Sequence, residues 1–189
     1  MEKKIRKLED LKEEIVKETK EEVWFYSMEY REYKIPASRH GIKGWLGTQD
    51  IFFVGPNPSK NPRKDSPGLN FFFKELKTNG FENAHLTDLV KIRLFNKDVK
   101  DKLNDENIIN KQLEFLRKEF DIIKPKLIVI LGACTGWKGK KIKEILKENF
   151  RNTKIKDIYH YSSIRFRFPK NKIKFIKDMK DVKKWYRNK

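Results

Sequence analysis

Cysteine is almost missing from this chain. The single thiol, Cys134, excludes an intrachain disulfide framework and any all-cysteine metal site within one chain. Long apolar runs are missing too. None reaches the roughly 18 residues of a membrane helix, and the charged N-terminus is followed by no apolar segment of signal-peptide type, so a soluble, cytoplasmic protein with no membrane partner is expected. No G-x-x-x-x-G-K-[ST] run occurs, and the single glycine of GPNPSKNP cannot supply a dinucleotide fingerprint. Histidine is scarce: His40 has no second histidine at metal-ligand spacing and is expected at the surface. Hydrophobic residues, at 38%, fall below the usual globular share.

Large aromatics compensate, since 14 Phe, six Tyr and four Trp carry much apolar area per residue. The 189 residues suit a single domain over 1–189, with residues 1–34 a helical arm packed on it and a monomer as the expected state. Forty-five Lys and Arg against 27 Asp and Glu leave a formal charge of +18, which attracts polyanions. Nucleic acid leads as partner on charge alone, with an anionic membrane, an acidic protein or a generally Lys-rich proteome as open alternatives. Abundant Lys and Glu with few Gln lean towards a thermophile.

Along the chain, Lys3 to Tyr33 has the 3.6-residue period of one or two helices, with Ile5, Leu8, Leu11, Ile15, Val16, Val23 and Tyr26 on one face. Pro36, Gly41, Gly44 and Gly47 mark a loop before the buried strand Ile51 to Val54. Asn70 to Asn79 reads as a helix stopped at Gly80 and His85 to Val90 as a strand. Glu106 to Phe120 is an amphipathic helix ended near Pro125, and Leu127 to Leu131, LIVIL, suits a strand covered on both faces. Trp137 to Asn149 is a basic helix, Ile155 to Tyr159 a strand, and Lys170 to Tyr186 a closing helix. No internal repeat is visible. The alternation predicts an α/β fold, a three-layer α/β/α sandwich with a central, mostly parallel sheet of about four strands.

Such a sheet gathers its carboxyl ends on one edge, where open α/β sheets bind ligands. Gly55 to Ser59, Asp88 to Arg93, Gly132 to Thr135 and His160 to Arg165 meet there. Asn57, held between Pro56 and Pro58, can position a water but is a poor general base; the alternative is an amide bonded to its own turn. His160 can donate to developing negative charge or move a proton, or can simply pack at the strand end. Arg165 and Arg167 interleave with Phe166 and Phe168 as in a phosphate-contacting loop, or as in a packed surface loop. Ser59, Lys60, Arg63 and Lys64 are further phosphate candidates. Cys134, after a core strand, is expected to be buried and not a nucleophile.

These residues together resemble the uracil-DNA glycosylase superfamily, over roughly Ile51 to Phe168. GPNPS at Gly55 to Ser59 is similar to the first catalytic motif, with Asn57 in the place of the water-orienting residue, as in the mismatch-specific and single-strand-selective branches. PGLNFFFKEL at Pro67 to Leu76 is similar to the mismatch-specific branch. HLTDLVKIR at His85 to Arg93 and KPKLIVILG at Lys124 to Gly132 resemble the thermostable iron–sulfur branch. HYSSIR at His160 to Arg165 corresponds to the second catalytic motif. The resemblance implies a DNA glycosylase acting on uracil or another deaminated base, with DNA as partner and a nucleoid association. Asn57 and His160 would be catalytic; Gly55, Pro56, Pro58, Ser59, Asp88 and a stacking aromatic, Phe71 or Phe72, would line the base pocket. Lys60, Arg63, Lys64, Lys91, Arg93, Ser162, Ser163, Ile164, Arg165 and Arg167 would contact DNA, with Ile164 or Arg165 as the wedge that fills the vacated stack. A catalytically inactive DNA-binding or damage-sensing protein of the same fold is the alternative.

Four departures accompany this. One cysteine cannot hold the four-cysteine cluster, so no cofactor and no metal are expected. Tyr161 stands where the second motif usually has proline, and Ser59 where glycine is common. Asp88 stands where the branches resembling TDLVK commonly have an Asn that reads uracil. A carboxylate has no donor unless protonated, which leaves the identity of the excised base open.

Overall fold

The computed structural model describes residues 1–20, 37–57, 67–92, 101, 104–132, 137–161 and 169–188, with the side chains of 137–139 outside that set. Its elements are α1 (Glu2–Thr19), two 3₁₀ turns (Ala37–His40 and Gly44–Leu46), β1 (Gln49–Gly55), α2 (Pro67–Asn79), β2 (Ala84–Asp88), α3 (Glu106–Ile123), β3 (Leu127–Leu131), α4 (Trp137–Asn149), β4 (Lys154–Ile158) and α5 (Pro169–Arg187). The strands form one sheet in the order β2-β1-β3-β4, and every pairing is parallel. Among the described residues, no helix is long and apolar enough to cross a membrane.

Three layers follow from side-chain alternation. Phe52, Val54, Ile128 and Ile130 face a core shared with α1, α3 and α4, while Ile51, Phe53, Leu127, Val129 and Leu131 face a second core shared with α2 and α5. Both faces of β1 and β3 are buried, which is why these strands read as unbroken aliphatic and aromatic runs. The two cores differ in content. Phe53, Phe72, Phe73, Phe81 and Phe175 fill the second, whereas the first mixes aliphatics with Trp45, Phe115 and Phe150.

The helix α1 presents Leu8, Leu11 and Ile15 to α3, each almost fully buried and each contributing about 2 kcal/mol of apolar burial. The indole Nε1 of Trp45 donates to the carbonyl of Leu8 at 3.3 Å, so the segment expected only as a loop fastens this arm to the body. His40, expected at the surface, is half-buried, its ring 5.3 Å from that of Phe73.

The helix α3 begins at an Asp105 cap, whose carboxylate accepts from the backbone N–H groups of Asn107 and Ile108. It runs to Ile123, past the expected end at Phe120. Pro125 disfavours a helical residue before it, and Lys124 turns out of the helix with φ of 55°. The strand expected over His85 to Val90 ends at Asp88, and β4 starts and ends one residue earlier than expected.

Candidate active site

The sheet order fixes the layout of the carboxyl edge. Neighbouring strands lie about 4.8 Å apart, and β1 is flanked by β2 on one side and β3 on the other. The turn that leaves β1 is therefore next to both neighbouring strand ends. Gly55 pairs in register with Asp88, and Leu131 with Ile158.

Backbone bonds continue beyond the strands. Leu89 N–H donates to the carbonyl of Gly55 at 2.9 Å and Val90 N–H to that of Pro56 at 3.1 Å, latching the first two residues of the β1 turn to the end of β2. Asn57 follows directly and is half-buried. On the far side, Gly132 N–H donates to the carbonyl of Ile158 at 2.8 Å. His160 then folds back over Gly132, so that a Cβ there would lie 3.1 Å from the histidine Cβ and 3.5 Å from its ring. Glycine also allows the φ of +92° at this position.

His160 is held by an aromatic stack. Its ring centroid lies 4.2 Å from that of Tyr161, and Tyr161 stacks on Phe72 of α2 at 5.4 Å with 14° between planes. Tyr161 is itself buried in the second core. Phe72 is fully buried in this stack. It is a support for His160 and not an exposed platform for a base, which corrects its expected pocket role. Phe71 is half-buried, 6.0 Å from Phe175, with the Lys172 ammonium 5.0 Å above its ring. Burial pushes the His160 imidazole down to about 4. Near neutrality it is an uncharged ring.

Asp88 closes the other flank. It is 4% exposed, and its Oδ1 has no hydrogen-bond partner among the described residues. A Cβ at position 55 would lie 2.3 Å from this oxygen, so only glycine lets the carboxyl lie against the β1 turn. Burial pushes Asp88 up to about 8, with Lys91 pulling it down and Glu119 pushing it further up.

Behind β2 lies a buried polar cluster that no sequence motif indicated. Lys91 is 1% exposed, and its ammonium contacts the Glu119 carboxylate at 2.5 Å, the Thr87 hydroxyl at 2.6 Å and the backbone carbonyl of Asp88 at 2.5 Å. Its own N–H donates to the Gln112 side-chain oxygen at 2.7 Å. His85 Nε2 meets Glu119 at 3.1 Å, and Trp45 lies 4.8 Å from the His85 ring and 5.5 Å from the Lys91 ammonium. Lys91 was expected to contact DNA. With its ammonium enclosed by these partners it cannot reach a phosphate, and it instead anchors the end of β2. The signal was available in α3, where Gln112 and Glu119 share one heptad stripe with Ile109, Leu116 and Ile123, polar residues on a core face.

Of the remaining expected site residues, Gly55 and Pro56 lie in the β1 turn. Pro58, Ser59, Lys60, Arg63, Lys64, Arg93, Ser162, Ser163, Ile164, Arg165 and Arg167 lie outside the described residues, as does Cys134.

The family model of the uracil DNA glycosylase superfamily matches residues 45–182, well over half of the chain and inclusive of every strand described above. The chain belongs to the uracil-DNA glycosylase superfamily. No curated protein matches it. The iron–sulfur cluster of one branch does not fit this member, because four thiolates are required and the chain has one cysteine.

Proposed function

We propose that this superfamily member is a monofunctional DNA glycosylase, acting as a monomer, that hydrolyses the N-glycosidic bond of uracil or another deaminated base. One observation supports the reading: β1, which leads into Asn57, lies between β2, which ends at Asp88 against Gly55, and β3, over whose following Gly132 His160 folds. A water-orienting amide is thereby flanked by two groups able to hold the base that leaves.

The substrate nucleotide must first leave the stack, at a cost of a few kcal/mol that mispairing reduces. The +18 charge supplies backbone affinity without reading sequence. As the C–N bond lengthens, its electron pair moves onto the base and the sugar gains positive charge. The uncharged His160 ring donates its N–H to the forming base anion, worth roughly 100- to 1,000-fold in rate by analogy with oxyanion donors. Asn57 holds a water against the anomeric carbon, chiefly a positional contribution. The water's oxygen bonds to that carbon and its proton passes, through solvent, to the base anion, leaving an abasic sugar and the neutral free base. Because His160 already donates as a neutral ring, its own titration should not alter the rate between pH 5 and pH 7.5.

The test is release of free base from single- and double-stranded DNA carrying uracil, hypoxanthine, xanthine or mispaired thymine. Asn57→Ala and His160→Ala should each lower turnover about 100-fold or more while leaving DNA affinity nearly intact. Absence of abasic product from every substrate would overturn the enzymatic reading in favour of a damage-binding protein. Equal loss of DNA binding in both variants would place the two residues in folding.

A further inference from the structure

Lys91 is 1% exposed, and a buried ammonium is unfavourable unless its donors meet fixed acceptors. Filling the same space would need only an apolar side chain of similar length. What the ammonium adds is direction: it pairs with Glu119 and donates to the Thr87 hydroxyl and the backbone carbonyl of Asp88. That carbonyl belongs to the same peptide group as the Leu89 N–H, which donates to the carbonyl of Gly55 at 2.9 Å. The peptide is trans, so its C=O and N–H point in opposite directions. It therefore spans the gap between the α3 cluster and the turn that carries Asn57, with the lysine at one end and Gly55 at the other.

We infer that Lys91 is a positioning residue for the proposed reaction, its ammonium setting the place of Asn57 through the Asp88–Leu89 peptide and Gly55. This rests on the glycosylase reading and adds to it a group that never touches the substrate. Pro56 has no N–H, so Gly55 and Pro56 meet the end of β2 through their carbonyls. Both bonds come from the segment that Lys91 holds. Leu89 N–H donates to Gly55, Val90 N–H donates to Pro56 at 3.1 Å, and the N–H of Lys91 itself donates to the Gln112 side chain at 2.7 Å. Three successive N–H groups thus tie this segment to the Asn57 turn on one side and to α3 on the other. A cation on the Asp88 carbonyl also polarises its peptide, which makes the Leu89 N–H a stronger donor.

The ammonium is itself held in place. Glu119 meets it with one carboxylate oxygen at 2.5 Å and meets His85 Nε2 with the other at 3.1 Å, while the Trp45 ring lies 5.5 Å from the ammonium. In this way α3 acts on the Asn57 turn from outside the site. Moving Asn57 by about 1 Å would take its water off the anomeric carbon, and a misplacement of that size can lower a rate about 100-fold.

The experiment compares the full wild-type chain with Lys91→Met/Glu119→Gln, which removes the ammonium together with its buried counter-charge, and with Glu119→Gln alone, which keeps the ammonium. Release of the base that wild type cleaves fastest is measured at a temperature where all three are folded. The double variant should lose about tenfold or more in kcat at unchanged KM, whereas Glu119→Gln should stay within about threefold of wild type. In the double variant alone, the Leu89 amide proton should move upfield and exchange faster with solvent, because its peptide has lost the cation. Gln112→Leu leaves every charge in place and removes only the acceptor of the Lys91 N–H, so it serves if the double variant does not fold; its kcat should fall about threefold or more at unchanged KM. Wild-type kcat in the double variant or, should that not fold, in Gln112→Leu, a loss confined to KM, or a Leu89 resonance that does not move would each overturn the inference. A wild type that releases no base would overturn the glycosylase reading, and the Leu89 shift would then decide separately whether Lys91 holds the Asn57 turn.

Discussion

Asp88 and Glu119 are carboxyls of nearly equal burial, 4% and 0% exposed, on opposite sides of the same short strand. Burial pushes both upward. At Glu119 the Lys91 ammonium at 2.5 Å and the bond to His85 outweigh it and hold the group below its ordinary value. At Asp88 the same lysine is the nearest cation, yet it meets the backbone carbonyl, and burial wins. Buried acids are therefore sorted by who their partners are and not by depth. The face of β2 towards α3 spends its charges on one another, while the Asp88 carboxyl, packed against Gly55, keeps one oxygen without a partner among the described residues.

The largest effect should come from breaking the compensated side. Lys91→Met leaves Glu119 without its cation and the Asp88 carbonyl without its donor, and is expected to cost about 3–5 kcal/mol in urea unfolding. Lys91→Met combined with Glu119→Gln should recover part of that loss. A cost below about 1 kcal/mol for the single variant would show that the cluster does not hold the strand.

The next effect sharpens the contrast through pH. The folded value of Asp88 lies above its unfolded one, so between about pH 4 and pH 8 the unfolded chain releases a proton that the folded chain keeps. Stability falls as pH rises through that window, by up to about 1.4 kcal/mol per unit. Asp88→Asn should therefore raise the melting temperature at pH 7.5 and leave it nearly unchanged at pH 4. Glu119 has the opposite sign: its contribution is present above the unfolded value and is lost as pH falls through the lowered folded one. Thermal melts of wild type, Asp88→Asn and Glu119→Gln across pH measure both slopes, and parallel curves would refute the contrast.

The smallest effect belongs to charges left in water. Lys118 of α3 bonds Glu14 of α1, with side chains 49% and 39% exposed. Lys118→Ala should change unfolding free energy by no more than about 0.5 kcal/mol. A larger loss would mean that the arm depends on its ion pairs more than on Leu8, Leu11 and Ile15.

Much of the fold was legible because period and burial coincide in it. LIVIL at Leu127 to Leu131 could only be a strand covered on both faces, and Trp137 to Asn149 matches its helix end to end. The sheet edge carrying Gly55 to Asn57 and His160 was legible from the alternation of strands and helices. The buried roles of Lys91 and Phe72 were not. A lysine two residues before an arginine reads as surface charge until the partner on α3, 28 positions later, is placed against it. Phe72 and Phe71 are equivalent in sequence, and only the Tyr161 stack separates them. Nor does sequence reveal the protonation state of Asp88, because that depends on where a neighbouring ammonium points.

The contrast between the two acids is tested most directly by carbon-13 NMR of the side-chain carboxyls, assigned with Asp88→Asn and Glu119→Gln and followed from pH 3 to pH 9. The account predicts one resonance, that of Asp88, titrating near pH 8 while Glu119 stays ionised down to the acid limit of the fold. An Asp88 resonance already ionised at pH 6 would contradict it.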